Sequence, residues 1–200
     1  MEHLHPLAAE ILEIWFGPTD DEIASRAPTW WKKDPVFDQQ LAERFGGELH
    51  RAAAGSFSGW ERSPHGSLAL VVMLDQFPRN SFRGDPRSFA FDAAARAVCH
   101  RAVRAGHDRM LKPPERVFLY MPLMHSEHVS DHRDALVLFE AAAVAARGTR
   151  WEQMIAANFD FAQKHAKIIH RFGRYPHRNE VLGRDSTPEE SAHVAEHGGF

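Results

Sequence analysis

Acid–base and anion-binding side chains are concentrated in a few short segments of this 200-residue sequence, which contains 14 histidines. The first segment extends from Asp75 to Arg83 and follows a very apolar stretch. Asp75 is predicted near the C-terminal end of a helix, where a carboxylate is unfavourable unless a cation lies beside it. Arg79 and Arg83 are the nearest cations, and Asn80 lies between them. The pattern predicts either an Asp–Arg pair that fixes the loop or an arginine held by Asp75 for binding a carboxylate or phosphate.

A second segment, from Tyr120 to Glu127, places acid–base side chains beside a proline. Pro122 has no backbone N–H, so we expect irregular backbone next to His125. On such a bend, His125 and Glu127 can converge although they are only two residues apart. We predict that His125 is an acid–base group or ligand tuned by Glu127. The structural alternative is a helix cap at residue 126 or 127, with His125 bonded to a buried carbonyl.

Three histidines of this region, His125, His128 and His132, have spacings of three and four residues. On a regular helix these spacings would place three imidazoles on one face, which suits a divalent metal ion. Pro122 argues against a continuous helix through His125, and the charged neighbours of His128 and His132 are typical of a solvated first turn. We therefore expect no metal site here, and no motif in the sequence predicts a cofactor.

A histidine on an apolar helix stripe precedes a loop that is rich in hydrogen-bond donors. His165 is predicted to face inward together with Phe161, Ile168, Ile169 and Phe172. After Gly173 the donors follow closely: Arg174, His177, Arg178, Asn179 and Arg184. Local positive charge in a protein with a net charge of −3 predicts acidic partners within the protein or an anionic ligand.

We expect the segments 75–83, 120–127 and 165–184 to converge on one electropositive pocket. The predicted acid–base residues are His125, His177, Asp75 and Glu127. The predicted ligand-binding residues are Arg79, Asn80, Arg83, Tyr120, His165, Arg174, Arg178, Asn179, Arg184 and Trp31. Trp31, with Trp30 and Lys33, is predicted to form a rim, because paired tryptophans offer a flat apolar wall with N–H donors.

The elements that must position these residues are predicted to be helices. Helix starts are indicated at Asp34-Pro35, Ser63-Pro64, Ser130 and the capping box beginning at Thr187. We expect Pro78 to end the very apolar helix that begins after Ser63. No strand or hairpin signal is present. The sequence therefore predicts an all-α array of antiparallel helical hairpins in a single domain over residues 1–200.

Composition excludes several classes of protein. The near balance of 24 basic and 27 acidic residues does not favour a nucleic-acid partner. No apolar run approaches the roughly 20 residues of a membrane span, and the acidic N-terminus does not resemble an export signal. The single cysteine, Cys99, fits a reducing compartment and has no activating context, so we expect a cytoplasmic protein without a thiolate mechanism. Composition does not determine the oligomeric state.

Several motifs in this order and spacing resemble the bacterial family called domain of unknown function 924. They are LDQFPRNSFRG, YMPLMHSE, the H-x4-H of His165 and His170, RFGRYPHRNEVLGR and ST-x-EE. The resemblance covers essentially the whole chain. It implies an all-α fold similar to tetratricopeptide-repeat-like arrays, and it implies no activity. Two residues depart from the expected pattern: Tyr175 stands where Phe is expected, and His132 stands where Gln is expected.

Three interpretations of the polar segments remain open. The first is a site for a small carboxylate or phosphate, with His acid–base chemistry as one use of it. The second is a peptide- or protein-binding scaffold, since stacked helices form concave surfaces that hold peptides. The third is an internal ion-pair network that holds the loops in register.

Overall fold

The computed structural model describes residues 4–198, and this part of the chain is all-α, with no β-strand. The prediction of an all-α protein is therefore confirmed. The chain divides into two compact units. The first comprises the chain up to Arg83 and Arg87–Pro122, and the second comprises Gly84–Pro86 and the chain from Leu123 onward. The prediction of a single domain over residues 1–200 stays a prediction.

The first unit contains helices α1 to α6 and most of α7. Their bounds are α1 Pro6–Trp15, α2 Asp20–Arg26, α3 Pro35–Ala53, α4 Pro64–Val71, α5 Phe77–Ser81, α6 Asp92–Arg104 and α7 Pro113–Met124. Helix α1 packs on α4, α3 on α5 and α4 on α6. Because these partners are not consecutive along the chain, the predicted stack of consecutive hairpins is not confirmed for this unit.

Two predicted helix starts of this unit are confirmed. Asp34 Oδ1 accepts the backbone N–H groups of Val36 and Phe37 at 3.0 and 3.1 Å. Ser63 Oγ accepts the N–H of Gly66 at 3.1 Å. These side chains satisfy N–H groups that the first turn of a helix leaves without an intrahelical acceptor.

The prediction that Pro78 ends the apolar helix is wrong. After α4, residues Val72–Gln76 form a π-helical turn, and α5 then continues to Ser81. The wider turn changes the helical register, so that Pro78 lies in the first turn of α5, where its missing N–H costs little. Asp75 therefore lies within the π-helical turn and not at a helix C-terminus.

The second unit contains α8 Val129–Ala145, α9 Glu152–Phe172 and α10 Pro188–His197. Helices α8 and α9 are joined by a short connection and pack against each other. The predicted start at Ser130 is wrong, because α8 begins at Val129 after His128. The capping box at Thr187 is confirmed, with Thr187 and Glu190 bonded reciprocally.

The predicted inward stripe of α9 agrees only in part with the burial of its side chains. Phe161 is exposed and contacts Lys164, so its predicted inward position on α9 is wrong. His165, Ile168 and Ile169 are buried as expected. Among residues 4–198, none of the helices combines the length and the apolar character that a membrane span requires.

Candidate functional site

In the first unit, the segment 75–83 is held by ion pairs to carboxylates. Asp75 is fully buried, and its Oδ1 lies 3.3 Å from Arg79 Nη1, which confirms the predicted pairing. Arg79 also donates to both carboxylate oxygens of Asp92, at 2.8 and 2.9 Å. Gln76 donates to Asp75 Oδ2. Arg79 thus lies between two carboxylates, of which sequence reasoning identified only Asp75.

Asn80 and Arg83 share a third carboxylate, that of Asp38 on α3. Asn80 Nδ2 donates to Asp38 Oδ1 at 2.8 Å, and Arg83 Nε donates to Asp38 Oδ2 at 2.7 Å. Asp38 is buried, and it lies more than 40 residues from both partners in the sequence. This arrangement holds α5 against α3, whereas the Asp–Arg pair predicted to fix the loop was that of Asp75.

The remaining predicted residues of the first unit have buried or aromatic partners. Tyr120 donates its hydroxyl to Asp108 Oδ2 at 2.7 Å. Burial and this hydrogen bond raise the pKa of Tyr120, so the phenol stays protonated at neutral pH. Trp31 is 58% exposed and stacks on Phe118 with an interplanar angle of 7°.

In the second unit, three side chains bond to three successive backbone carbonyls, those of residues 124–126, where α7 ends. Tyr175 donates its hydroxyl to the first carbonyl. Arg178 Nη2 donates to the second at 2.9 Å, and His132 Nε2 lies 2.7 Å from the third. Carbonyl groups left without partners at a helix end must be satisfied when they are buried. These contacts therefore fix the bend that carries His125.

Glu127 connects this bend to the loop after α9. Its oxygens accept hydrogen bonds from Arg184 Nη1 and Nη2, at 2.7 and 3.0 Å, and from the backbone N–H of Tyr175 at 2.8 Å. Burial alone would raise the pKa of Glu127. The bonds from Arg184 and Tyr175 and the charges of Arg184 and Arg178 outweigh it and lower the pKa. Glu127 is therefore a carboxylate that joins two segments, and its predicted role in orienting His125 stays a prediction.

The Tyr175 ring is the centre of a cluster of nitrogen-bearing side chains. Its centroid lies 5.7 Å from that of His165, 5.4 Å from that of His177 and 6.1 Å from that of His132. The guanidinium carbon of Arg178 lies 4.4 Å from the same centroid, a cation–π distance. Three imidazoles and one guanidinium thus surround the ring of Tyr175, which is itself fully buried.

The imidazoles of this cluster are neutral at physiological pH. Burial, followed by the influence of His125, lowers the pKa of His165 to about 3. Burial, followed by the charge of Arg178, lowers the pKa of His177 to about 4. Burial also lowers the pKa of His132. A low-dielectric environment near a cation disfavours a second positive charge, which is why these rings stay unprotonated.

Hydrogen-bond partners determine where two of these rings carry their proton. His165 Nδ1 lies 2.7 Å from the carbonyl oxygen of Phe161, which can only accept, so Nδ1 carries the hydrogen. By the same reasoning, His132 Nε2 carries the hydrogen that bonds to the Ser126 carbonyl. His132 Nδ1 is then an acceptor, and it has no hydrogen-bond partner among the described residues.

The other predicted residues of the loop form ion pairs or local bonds. Arg174 donates to both carboxylate oxygens of Glu190, at 2.6 and 2.8 Å. This bond, together with the Thr187 backbone N–H, lowers the pKa of Glu190 to about 2 against the opposing effect of burial. Asn179 is fully buried, donates to Ser186 and accepts from Arg184 Nε at 2.9 Å. These residues hold the loop in one conformation.

The second unit brings together most of the histidine and arginine residues that the sequence singled out there. His125 lies near His165, with 6.4 Å between ring centroids, and is connected to the cluster around Tyr175 through that ring. Arg174, Asn179 and Arg184 form the supporting bonds described above. The residues of segment 75–83, with Tyr120 and Trp31, belong to the first unit and have the partners given there.

Sequence reasoning missed His132 and Tyr175. The interpretation of His132 as part of a solvated first turn is wrong, because His132 and its neighbour Asp131 are buried. The signal was available in the spacing: His132 precedes Ala135, Phe139 and Ala142, which form the buried face of α8. In the part of the chain that the structure describes, no group of three or more His, Cys, Asp or Glu is arranged to hold a metal ion.

The fold and the cluster define an all-α protein in which buried polar side chains join a helix end to a loop. Comparison with known families then identifies it further. The model of a family described as bacterial protein of unknown function, DUF924, matches residues 11–198, and the chain belongs to this family.

A solved structure supports the same assignment. The chain is similar to the protein of unknown function ATU0120 from Agrobacterium tumefaciens, with 35% sequence identity and a TM-score of 0.79. The similarity covers 95% of this chain and 97% of that chain. No curated protein matches the chain.

Proposed function

We propose that the second unit binds a small anionic ligand, a carboxylate or a phosphate, beside Tyr175. Arg178 supplies the positive charge, and His125, His165 and His177 supply hydrogen-bonding nitrogens. The observation that carries the proposal is the grouping of the Arg178 guanidinium and the imidazoles of His165 and His177 around one buried aromatic ring, with His125 beside His165. Such groups are typical of sites that recognise oxyanions.

Electrostatics supports an anion at this position. The charge of Arg178 contributes to lowering the pKa of both His165 and His177, so its positive potential extends to both rings. The same potential that disfavours an imidazolium favours a negatively charged ligand. Among the ligand classes considered from the sequence, an anion therefore fits this region best.

The residues of the loop divide into two roles under this proposal. Arg174, Arg184, Asn179 and Glu127 hold the loop by ion pairs and local bonds. His125, His165, His177 and Arg178 contact the ligand. The prediction that segment 75–83 contributes to the same site, with Asp75 as an acid–base group, stays a prediction.

The neutral imidazoles also define which proton transfers are available. With a pKa of about 4, His177 is unprotonated at neutral pH and acts as a proton acceptor. His177 is partly exposed, as is His125, so a ligand can reach both rings. We therefore propose His177 and His125 as the acid–base groups of any reaction at this site. The second candidate function, a peptide-binding scaffold, would use the same cations to hold a C-terminal carboxylate.

Thermal unfolding with added anions tests the proposal. Phosphate, malonate or citrate, compared with sodium chloride at equal ionic strength, is expected to raise the melting temperature by several degrees. An anion concentration of about 100 times Kd stabilises the folded state by about 2.7 kcal/mol. Each kcal/mol raises the melting temperature by about 2–4 °C in a protein of this size. His177→Gln is expected to reduce this shift and Arg178→Ala to abolish it.

Two controls keep the test decisive. Arg171→Ala removes the same charge from an exposed pair with Glu189 in the same unit, and it is expected to leave the shift unchanged. Because Arg178 also bonds to the His125 carbonyl, Arg178→Ala can fail to fold, and His177→Gln then decides the question. No anion-specific shift in the wild-type protein, or an equal shift in wild type and His177→Gln, would contradict the proposal.

A further inference from the structure

Helix α8 has a second apolar face that lies opposite its packed face. The buried residues His132, Ala135, Phe139 and Ala142 form the face toward the rest of the unit. The other face carries Val129, Val137 and Val144, which are 46%, 63% and 51% exposed. Single exposed apolar residues are ordinary, but several on one helix face indicate a contact surface.

The residues of this second face have regular spacing. Val129, Arg133, Leu136, Val137, Glu140 and Val144 lie within an arc of about 100° at 3.6 residues per turn. They extend over about 22 Å of the helix, at 1.5 Å per residue. Beside them, His170 of α9 and Ser130 complete a shallow cavity lined also by Val129, Arg133, Leu136 and Val137. The face is therefore a continuous strip and not a set of isolated side chains.

The strip is complementary to itself. A two-fold axis placed between residues 136 and 137 pairs each position with one in an antiparallel copy of the helix. Val129 then lies opposite Val144, and Leu136 opposite Val137. The same axis places Arg133 of each copy opposite Glu140 of the other copy, so the dimer contains two such pairs.

The charged pairs favour a second copy over an unrelated partner. Arg133 and Glu140 are seven residues apart, about 10 Å along the helix, so they do not satisfy each other within one chain. The Arg133 side chain is 77% exposed and lies 3.5 Å from Asp134, a solvent-exposed contact of little energetic weight. In an isologous dimer every apolar residue of the strip meets an apolar residue and every charge meets its opposite.

We propose that this face of α8 is a homodimer interface, in which two copies of the chain pair their α8 helices antiparallel through Val129, Arg133, Leu136, Val137, Glu140 and Val144. The inference is independent of the anion site, because none of these residues belongs to the cluster around Tyr175. One pair of helices buries a small area, so the dimer is weak and forms as protein concentration rises.

Charge exchange tests this arrangement in the full-length chain. Sedimentation velocity from about 5 μM to about 1 mM, which covers association free energies of about 4–7 kcal/mol, is expected to show a monomer–dimer equilibrium. Arg133→Glu and Glu140→Arg each turn two attractive contacts into two repulsive ones, and each is expected to weaken dimerisation by about tenfold. Val137→Lys is expected to abolish it.

Recovery of dimerisation when both charges are exchanged distinguishes this interface from any other. The double variant Arg133→Glu/Glu140→Arg exchanges both charges and is expected to dimerise like the wild type. An equimolar mixture of the two single variants is expected to form a heterodimer, because all four charges are then complementary. Lys167→Glu, an equally large charge change on the exposed side of α9, serves as the control and is expected to have no effect.

Three outcomes would overturn the proposal. The first is a protein that remains monomeric over the whole concentration range. The second is a dimer that is insensitive to the single exchanges, which would place the interface elsewhere. The third is a double variant that dimerises as poorly as the single ones, since the effect would then not come from pairing of these two positions.

Discussion

Arg79 and Arg83 of the first unit and Arg178 of the second unit have different kinds of partners. In the first unit, Arg79 bonds to the carboxylates of Asp75 and Asp92, and Arg83 bonds to Asp38. In the second unit, Arg178 lies over the Tyr175 ring and donates to a carbonyl, and the neutral imidazoles of His165 and His177 contact the same ring. The first arrangement bonds each guanidinium to carboxylates, whereas the second places a guanidinium on an aromatic ring that neutral imidazoles contact, which makes the second unit the better candidate for binding an anion.

The largest expected effect concerns the first unit. Asp75→Ala is expected to lower the free energy of unfolding by about 2–3 kcal/mol, because the buried Gln76 amide loses its carboxylate acceptor while Arg79 keeps the carboxylate of Asp92. Urea unfolding followed by circular dichroism measures the change. Asp92→Ala is the matched control, since it removes a more exposed carboxylate from the same arginine, and it is expected to cost less. Equal losses in the two variants would show that burial of Asp75 does not set the energetics of this unit.

An intermediate effect is expected from pH in the second unit. The pKa of His177 is about 4 in the folded protein and about 6.5 when unfolded, so the unfolded chain binds more protons between these values. Stability contributed by the neutral ring is present above about pH 6.5 and is lost as the pH falls toward 4. In His177→Gln, the free energy of unfolding is expected to fall by about 1–2 kcal/mol less than in the wild type over this pH range. This value is smaller than the pKa difference alone would give, because the ring is partly exposed to solvent.

The measurement is the free energy of unfolding of both proteins at a series of pH values. His128→Gln, which changes an exposed histidine of the same unit, is the control and should follow the wild type. A His177→Gln protein with an unchanged pH profile would mean that His177 is not responsible for the pH sensitivity of the cluster.

The smallest effect separates the Tyr175 hydroxyl from the Tyr175 ring. Tyr175→Phe removes the hydrogen bond to the Met124 carbonyl but keeps the ring beneath Arg178. A neutral hydrogen bond contributes about 1 kcal/mol, so the melting temperature should fall by only a few degrees and any anion-dependent shift should remain. A loss of anion-dependent stabilisation in this variant would show that the hydroxyl, and not the ring with its nitrogen neighbours, defines the site.

Sequence reasoning selected the polar segments and the Asp75–Arg79 pair, but it did not identify most of the other partners. It selected Arg79, Arg83, Arg178 and Arg184 by residue type and by their density in loops. It did not select Asp38, which binds Asn80 and Arg83 from a helix more than 40 residues away. Nothing in the local pattern around Asp38 distinguishes it from an exposed helical aspartate, because its burial depends on where α5 packs.

The error at Pro78 has a different origin. Proline inside a helix usually ends it, because the ring clashes with the preceding turn and an N–H is lost. Here the π-helical turn Val72–Gln76 removes that conflict, and the helix continues through Asn80. A π-turn has no sequence signature of its own, so only the three-dimensional structure reveals it.

The sequence by itself determined the helical class and the helix starts at Asp34, Ser63 and Thr187, since each cap bonds to a backbone N–H within three residues of itself. Tertiary structure alone decided that Glu127 meets Arg184 from 57 residues away and that three imidazoles surround Tyr175. The physical reason is the range of the interactions. A cap is satisfied within its own turn, whereas these contacts depend on how separate segments pack, which residue spacing along the chain does not specify.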